Sequence, residues 1–252
     1  MTAAEKKEAL ATHLKAFRKM LLVSVGAVFV IFFVLFYLFC TPLVDFILIP
    51  VRSRGIDVIT TAVSDALMMK FKTCLVTAVV VAMPIILWQI WSFIAPALYP
   101  SEKKMVVAIV GLAILLFAVG VVFCYIYVFP LAIDLFWQAA DGVADTMWSV
   151  KEYFNFVLSF VLPFGVMFEL PVAIYIMARH GWVTYKKMAK NRKYVVLAIA
   201  VIAAFLTPPD IVSQTMLMLP MVLLYEVSVQ MTRFIKPVKK NEYNIDLDSI
   251  EE

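Results

Sequence analysis

Six apolar runs, separated by short polar breaks, organise this sequence. Met20–Cys40 carries no charge over 21 residues. At about 1.5 Å of rise per helical residue, that is enough to cross about 30 Å of hydrocarbon. Further apolar runs cover approximately 73–91, 105–132, 153–178, 194–207 and 211–232. The segment 41–72 between the first two alternates apolar patches with Asp45, Arg52, Arg54, Asp57 and Asp65, and Pro42, Pro50 and Gly55 punctuate it. It reads as an ordered cap outside the membrane with short interfacial helices. Pro84 marks a kink in the second run, and Pro130 an end or bend in the third. Trp88, Trp91 and Tyr99 stand where an aromatic belt belongs. The fifth run is 14 residues long, and the sixth stays uncharged for only 15, Ile211–Tyr225. Both are short for a crossing, so the bilayer is expected to thin beside them.

Composition agrees with the pattern. Hydrophobic residues make up 64% of the 252, charged residues 16%, and mean hydropathy is +0.95. That apolar surplus exceeds what one soluble core can bury, so lipid must cover the remainder. The expected fold is an all-α integral membrane protein with six transmembrane helices, occupying 1–233 and followed by a disordered tail at 234–252. The polar opening stretch and long first run predict a retained anchor rather than a cleaved leader.

Charge fixes orientation. With the N-terminus inside, 17 of the 22 Lys and Arg fall on the inner side, and only Arg52, Arg54, Lys70, Lys72 and Lys151 fall outside. Cytoplasmic loops carry such an excess, so both termini are expected in the cytoplasm of a bacterial-type inner membrane.

Catalytic and cofactor chemistry finds little support. The two histidines, His13 and His180, lie beside basic residues in expected cytoplasmic segments. There is no Gly-x-Ser-x-Gly, no metal-ligand cluster and no glycine-rich phosphate loop, so no enzyme, metal, cofactor or nucleic-acid partner is expected. Cys40, Cys74 and Cys124 sit within or at the edge of apolar runs and read as small buried side chains. The informative residue is Glu169, a carboxyl well inside the fourth run. It could relay protons, hold a polar substrate or simply bond within the bundle. Asp210, after Pro208 and Pro209, is placed to cap the last helix.

Several stretches in order resemble the TatC family, the core of the twin-arginine protein translocase. They begin with His13-Leu14 and Arg18, then LWQIWSFIAPALY from Leu87 to Tyr99, leading to Glu102. Phe117 and Gly120, Phe129-Pro130 and FGVMFELP from Phe164 to Pro171 follow. Arg192-Lys193-Tyr194, Leu206-Thr207-Pro208-Pro209-Asp210, Ser213-Gln214, Pro220 and Tyr225-Glu226 complete the set.

The resemblance implies a cup-shaped six-span bundle whose partners are single-span TatA/TatB-type subunits and other copies of itself. Together they would export folded proteins with the protonmotive force. It also implies that Glu102, Phe93, Leu98, Arg18 and Lys103 form the surface that binds twin-arginine signal peptides. Arg–carboxylate pairing suits that task because it can be bidentate. Glu169, Thr207 and Gln214 would dock partner helices, with Pro208, Pro209 and Asp210 as the turn. One departure stands out. The family pattern His-Leu-x-Glu-Leu-Arg reads His13-Leu14-Lys15-Ala16-Phe17-Arg18 here, so Ala16 replaces an acid of the expected clamp. A competing expectation is a small proton-coupled transporter with Glu169 as its carrier.

Overall fold

The computed structural model describes the backbone of residues 3–98, 103–140, 147–207 and 210–235, and the side chains of 14–93, 107–139, 147–207 and 210–235. The chain is helical almost throughout. The first crossing is α1 (Ala3–Val34), a π-helical turn (Leu35–Phe39) and α2 (Cys40–Arg52). The second is α3 (Asp65–Leu98). The third is α4 (Lys103–Phe123), a second π-helical turn (Cys124–Val128) and α5 (Phe129–Ala140). The fourth comprises α6 (Val150–Met167) and α7 (Leu170–Arg179). A short α8 (Tyr185–Lys190) leads to α9 (Arg192–Leu206) and α10 (Ile211–Met231). Among the described residues, five helical segments are long and apolar enough to cross a membrane, and the 15-residue α9 supplies the sixth pass, about 22 Å at helical rise.

Two expectations about helix ends change. The segment after Cys40 is not cap: the first helix continues to Arg52. Pro130 does not end the third helix either, which continues to Ala140. The π turns explain both. A proline ring clashes with the carbonyl four residues back, Leu38 for Pro42 and Ile126 for Pro130. Each of those carbonyls lies inside a π turn, where the widened backbone makes room for the ring and the helix resumes. Pro50 likewise leaves the Phe46 carbonyl without its helical donor, and the Tyr125 hydroxyl donates to it at 2.8 Å. The second helix begins at Asp65, eight residues before the expected span. There the carboxylate accepts from the Thr61 hydroxyl and the Ala62 N–H, both at 2.9 Å.

The fourth crossing is the centre of the bundle. Phe154, Phe160 and Phe164 of α6 are fully buried with Phe129, Leu217 and Met221. Two glycines let α4 and α6 approach closely. A Cβ on Gly165 would lie 2.4 Å from the Phe117 ring, and one on Gly120 would lie 2.8 Å from the Phe164 carbonyl and the Phe168 ring. The first crossing is peripheral. Only 6% of its most apolar stretch is buried, against 44% in the fourth, so lipid must cover most of it. Its attachment to α3 runs through Phe32, which meets Phe71 edge-on at 5.0 Å and packs with Cys74 and Ala78.

At the end away from the termini, β1 (Val58–Ile59) and β2 (Trp148–Ser149) pair in parallel. Beneath them Arg54 grips Asp134 through Nε at 2.5 Å and Nη2 at 3.1 Å, while Nη1 donates to the Pro50 carbonyl at 2.8 Å. The hydrogen bond to Asp134 raises the Arg54 guanidinium pKa above its ordinary value. Together these contacts tie the ends of the first, third and fourth crossings.

Candidate functional site

The expected peptide-binding residues fall at the end of the bundle that carries the termini, where α1 enters against α3. The Phe17 and Phe93 rings meet there with centroids 6.0 Å apart. Arg18 and Ala16, the neighbours of Phe17, are exposed on α1, so they stand beside the end of α3. Leu98 closes α3 and Lys103 opens α4, but their side chains lie outside the described residues. Glu102 lies wholly outside them. Sequence reasoning passed over Phe17; the clue available was its position where the family pattern has leucine.

The rest of this end is basic. Lys186, Lys187, Lys190 and Lys193 are exposed on and beside α8. Thr184 caps α8 by accepting from the Lys187 N–H. Arg192 donates to Glu226 at 2.6 Å, and Gln230 donates to the same oxygen at 2.8 Å. The Tyr225 hydroxyl donates to the Met188 carbonyl at 3.1 Å, and the Arg233 guanidinium covers the Tyr185 ring at 4.2 Å. These contacts fasten α8 and α9 to the last helix and the residues just after it. Glu226 therefore extends α10 six residues beyond its uncharged run by finding a cation partner. His180, beside Arg179, is held below its ordinary pKa by burial and by that cation.

Glu169 sits at a break in the fourth crossing. Pro171 cannot donate to the Met167 carbonyl, so α6 ends there and α7 starts at Leu170, with Glu169 in the N-cap position. Its side chain makes no capping bond, and Oε1 is buried without a hydrogen-bond partner among the described residues. Such a group is costly unless a proton, water or another polar group meets it.

Thr207 and Gln214 behave otherwise. Thr207 Oγ1 donates to the Ala203 carbonyl at 2.9 Å, and Gln214 Nε2 donates to the Ala200 carbonyl at 3.2 Å. Both bonds stay within the α9–α10 hairpin, and no hydrogen bond among the described residues links either side chain to Glu169. Asp210 caps α10 as its position suggests, accepting from the Ser213 N–H at 2.6 Å. Pro208 and Pro209 lie outside the described residues. No group of three or more potential metal ligands occurs among the described residues.

Comparison with known proteins places this arrangement. The family described as "Sec-independent protein translocase protein (TatC)" matches residues 12–220. The chain is 38% identical to the TatC protein of Carboxydothermus hydrogenoformans over 234 residues, 92% of this chain and 96% of that one. It is 37% identical to TatC of Escherichia coli K12 over 233 residues, covering 91% and 90%. A crystal structure described as the twin-arginine translocase receptor TatC superposes with a TM-score of 0.82 at 32% identity, covering 88% of this chain and 98% of that one. The family match over most of the chain, the two relatives and the structural superposition agree, and this chain belongs to the Sec-independent protein translocase TatC family.

Proposed function

We propose that the chain is the receptor and core subunit of a twin-arginine translocase, binding paired-arginine signal peptides at the end that carries its termini. The observation that supports this most strongly is the match to the TatC receptor structure over nearly all of both chains. In this reading that end faces the cytoplasm of the inner membrane, an orientation the Lys and Arg distribution supports. Glu102 accepts hydrogen bonds from the signal arginines. Phe17 and Phe93 offer an apolar platform beside it, and Arg18 and Lys103 set the local field. With Ala16 in place of an acid, one carboxylate carries recognition that two would share. Single-span TatA/TatB-type partners dock on the membrane face of the last two passes near Gln214 and Thr207, and several copies of the chain assemble with them.

Complementation tests the reading. Supplied to cells lacking their own TatC, the chain should restore export of a folded reporter bearing a paired-arginine signal. A reporter bearing paired lysines should stay inside. Failure to export with normal membrane levels of the chain and its partners would refute it. The unpartnered oxygen of Glu169 favours one further reading, a proton-coupled small-solute carrier. That reading requires solute uptake by the chain alone in liposomes, lost in Glu169→Gln.

A further inference from the structure

Two apolar grooves open on the membrane face of the bundle. One, of about 480 Å³, runs between the first, second, third and fourth crossings, and its lining carries no charged side chain. The other, of about 630 Å³, lies between α4, α7 and α10. Its fourth-crossing wall is Phe168, at the break after α6, followed by Pro171, Val172 and Tyr175 of α7 at helical spacing. Four residues past Tyr175 the same row reaches Arg179, in the last turn of α7. Arg179 is half-buried, and its Nε is buried with no hydrogen-bond partner among the described residues. A guanidinium N–H in that condition calls for an acceptor that the described residues do not supply.

The dimensions limit what that acceptor can belong to. From Phe168 to Arg179 the row rises about 16 Å, against about 15 Å for half the hydrocarbon core. One leaflet's acyl chain fits that length, whereas a spanning helix needs about 30 Å. Three residues past Arg179 along the chain, Trp182 is 62% exposed, as suits an aromatic at the headgroup level. Lys186 and Lys187 are exposed on the adjoining α8, which gives the region a surplus of positive charge.

We propose that the α4–α7–α10 groove holds one anionic phospholipid, its acyl chain between Ala108, Val172 and Val227 and its phosphate accepting from Arg179. The headgroup lies in the leaflet on the side of the termini. This site is separate from the Phe17–Phe93 surface and does not depend on signal binding.

The test uses the full chain purified in detergent, stripped of lipid, and titrated with phosphatidylglycerol or with phosphatidylcholine of the same acyl length. Retention is read by native mass spectrometry. Phosphatidylglycerol should be retained about fivefold more tightly, the effect of one cation near an anionic headgroup. Arg179→Gln should abolish that preference, and Arg179→Lys should keep part of it. Filling the groove with Val227→Trp should lower retention of both lipids. Ala108→Leu, on the opposite wall, gives the same reading if the tryptophan variant fails to fold. Arg52→Gln, at the far end, should behave as the parent. Equal retention of the two lipids, or a preference that survives Arg179→Gln, would overturn the proposal. So would a groove-filling variant that keeps its lipid but no longer co-purifies with a single-span partner, since the groove would then seat a helix.

Discussion

At the end of the bundle away from the termini, Arg54 holds Asp134 through two nitrogens, Arg52 holds Asp45 at 2.9 Å, and Lys72 reaches Asn155 at 2.9 Å. At the terminal end, among the described residues, Arg192 has a carboxylate partner, while Arg18, Arg179, Lys186 and Lys187 have none. The first arrangement neutralises charge to fix loops. The second leaves charge available to a ligand. The helical passes connect both ends, so a surface can stay unpaired at one end without the bundle loosening. The contrast gives a rule for reading this chain: paired arginines mark the scaffold, and unpaired ones mark the surface that meets other molecules.

The strongest way to break the contrast is to disturb the seam joining the ends. Gly165→Ala drives a methyl into Phe117, inside an α4–α6 contact that has no slack. Overpacking of this kind costs about 1–3 kcal/mol. The melting temperature in detergent should fall by several degrees, and signal-peptide capture should weaken with it. Gly111, with open space around its Cβ position, should accept alanine without loss.

Arg54→Met acts on the scaffold end alone. Its partner keeps substantial exposure, 25% and 47% for the two side chains, so solvent screening reduces the loss to about 1 kcal/mol. That corresponds to about 2–4 °C in melting temperature for a chain of this size. The equivalent change at Arg179 should leave melting in lipid-free detergent unaltered, because no protein partner is lost. A drop as large as that of Arg54→Met would erase the contrast.

Smallest of all is Arg52→Met. Its pair with Asp45 is more than half exposed on both sides, and its loss should change melting by under about 0.5 kcal/mol.

Much of this architecture could be read from residue order because lipid imposes a simple requirement. Each backbone polar group must be satisfied within a helix, so long uncharged runs can only be helical passes. The cap at Asp210 and the exposed cations of the 179–193 region were legible for similar local reasons. Helix ends near prolines were not. Pro42 and Pro130 read as punctuation, and only the π turns ahead of them show that the helices absorb the ring. The Arg54–Asp134 pair joins residues 80 apart, and nothing in either neighbourhood announces the partner. Glu169 stood out at once as a buried carboxyl. That it sits at a proline-made break, and does not meet Gln214 or Thr207, follows from the packing of α7 against the hairpin. Phe17 was hidden for another reason: the missing acid at Ala16 drew the eye, while the ring beside it makes the contact with Phe93.

The central claim is that the terminal end binds paired arginines through Glu102, with Phe17 and Phe93 as its apolar platform. Its most direct test is a photocrosslinking residue at Phe93 in the membrane-embedded chain, challenged with a paired-arginine peptide and with its paired-lysine counterpart. The account predicts strong crosslinking to the arginine peptide, a loss of about tenfold or more in Glu102→Gln as a charge-assisted pair is removed, and a gain when Ala16→Glu restores the second acid. Equal crosslinking of both peptides, or crosslinking indifferent to Glu102→Gln, would contradict it.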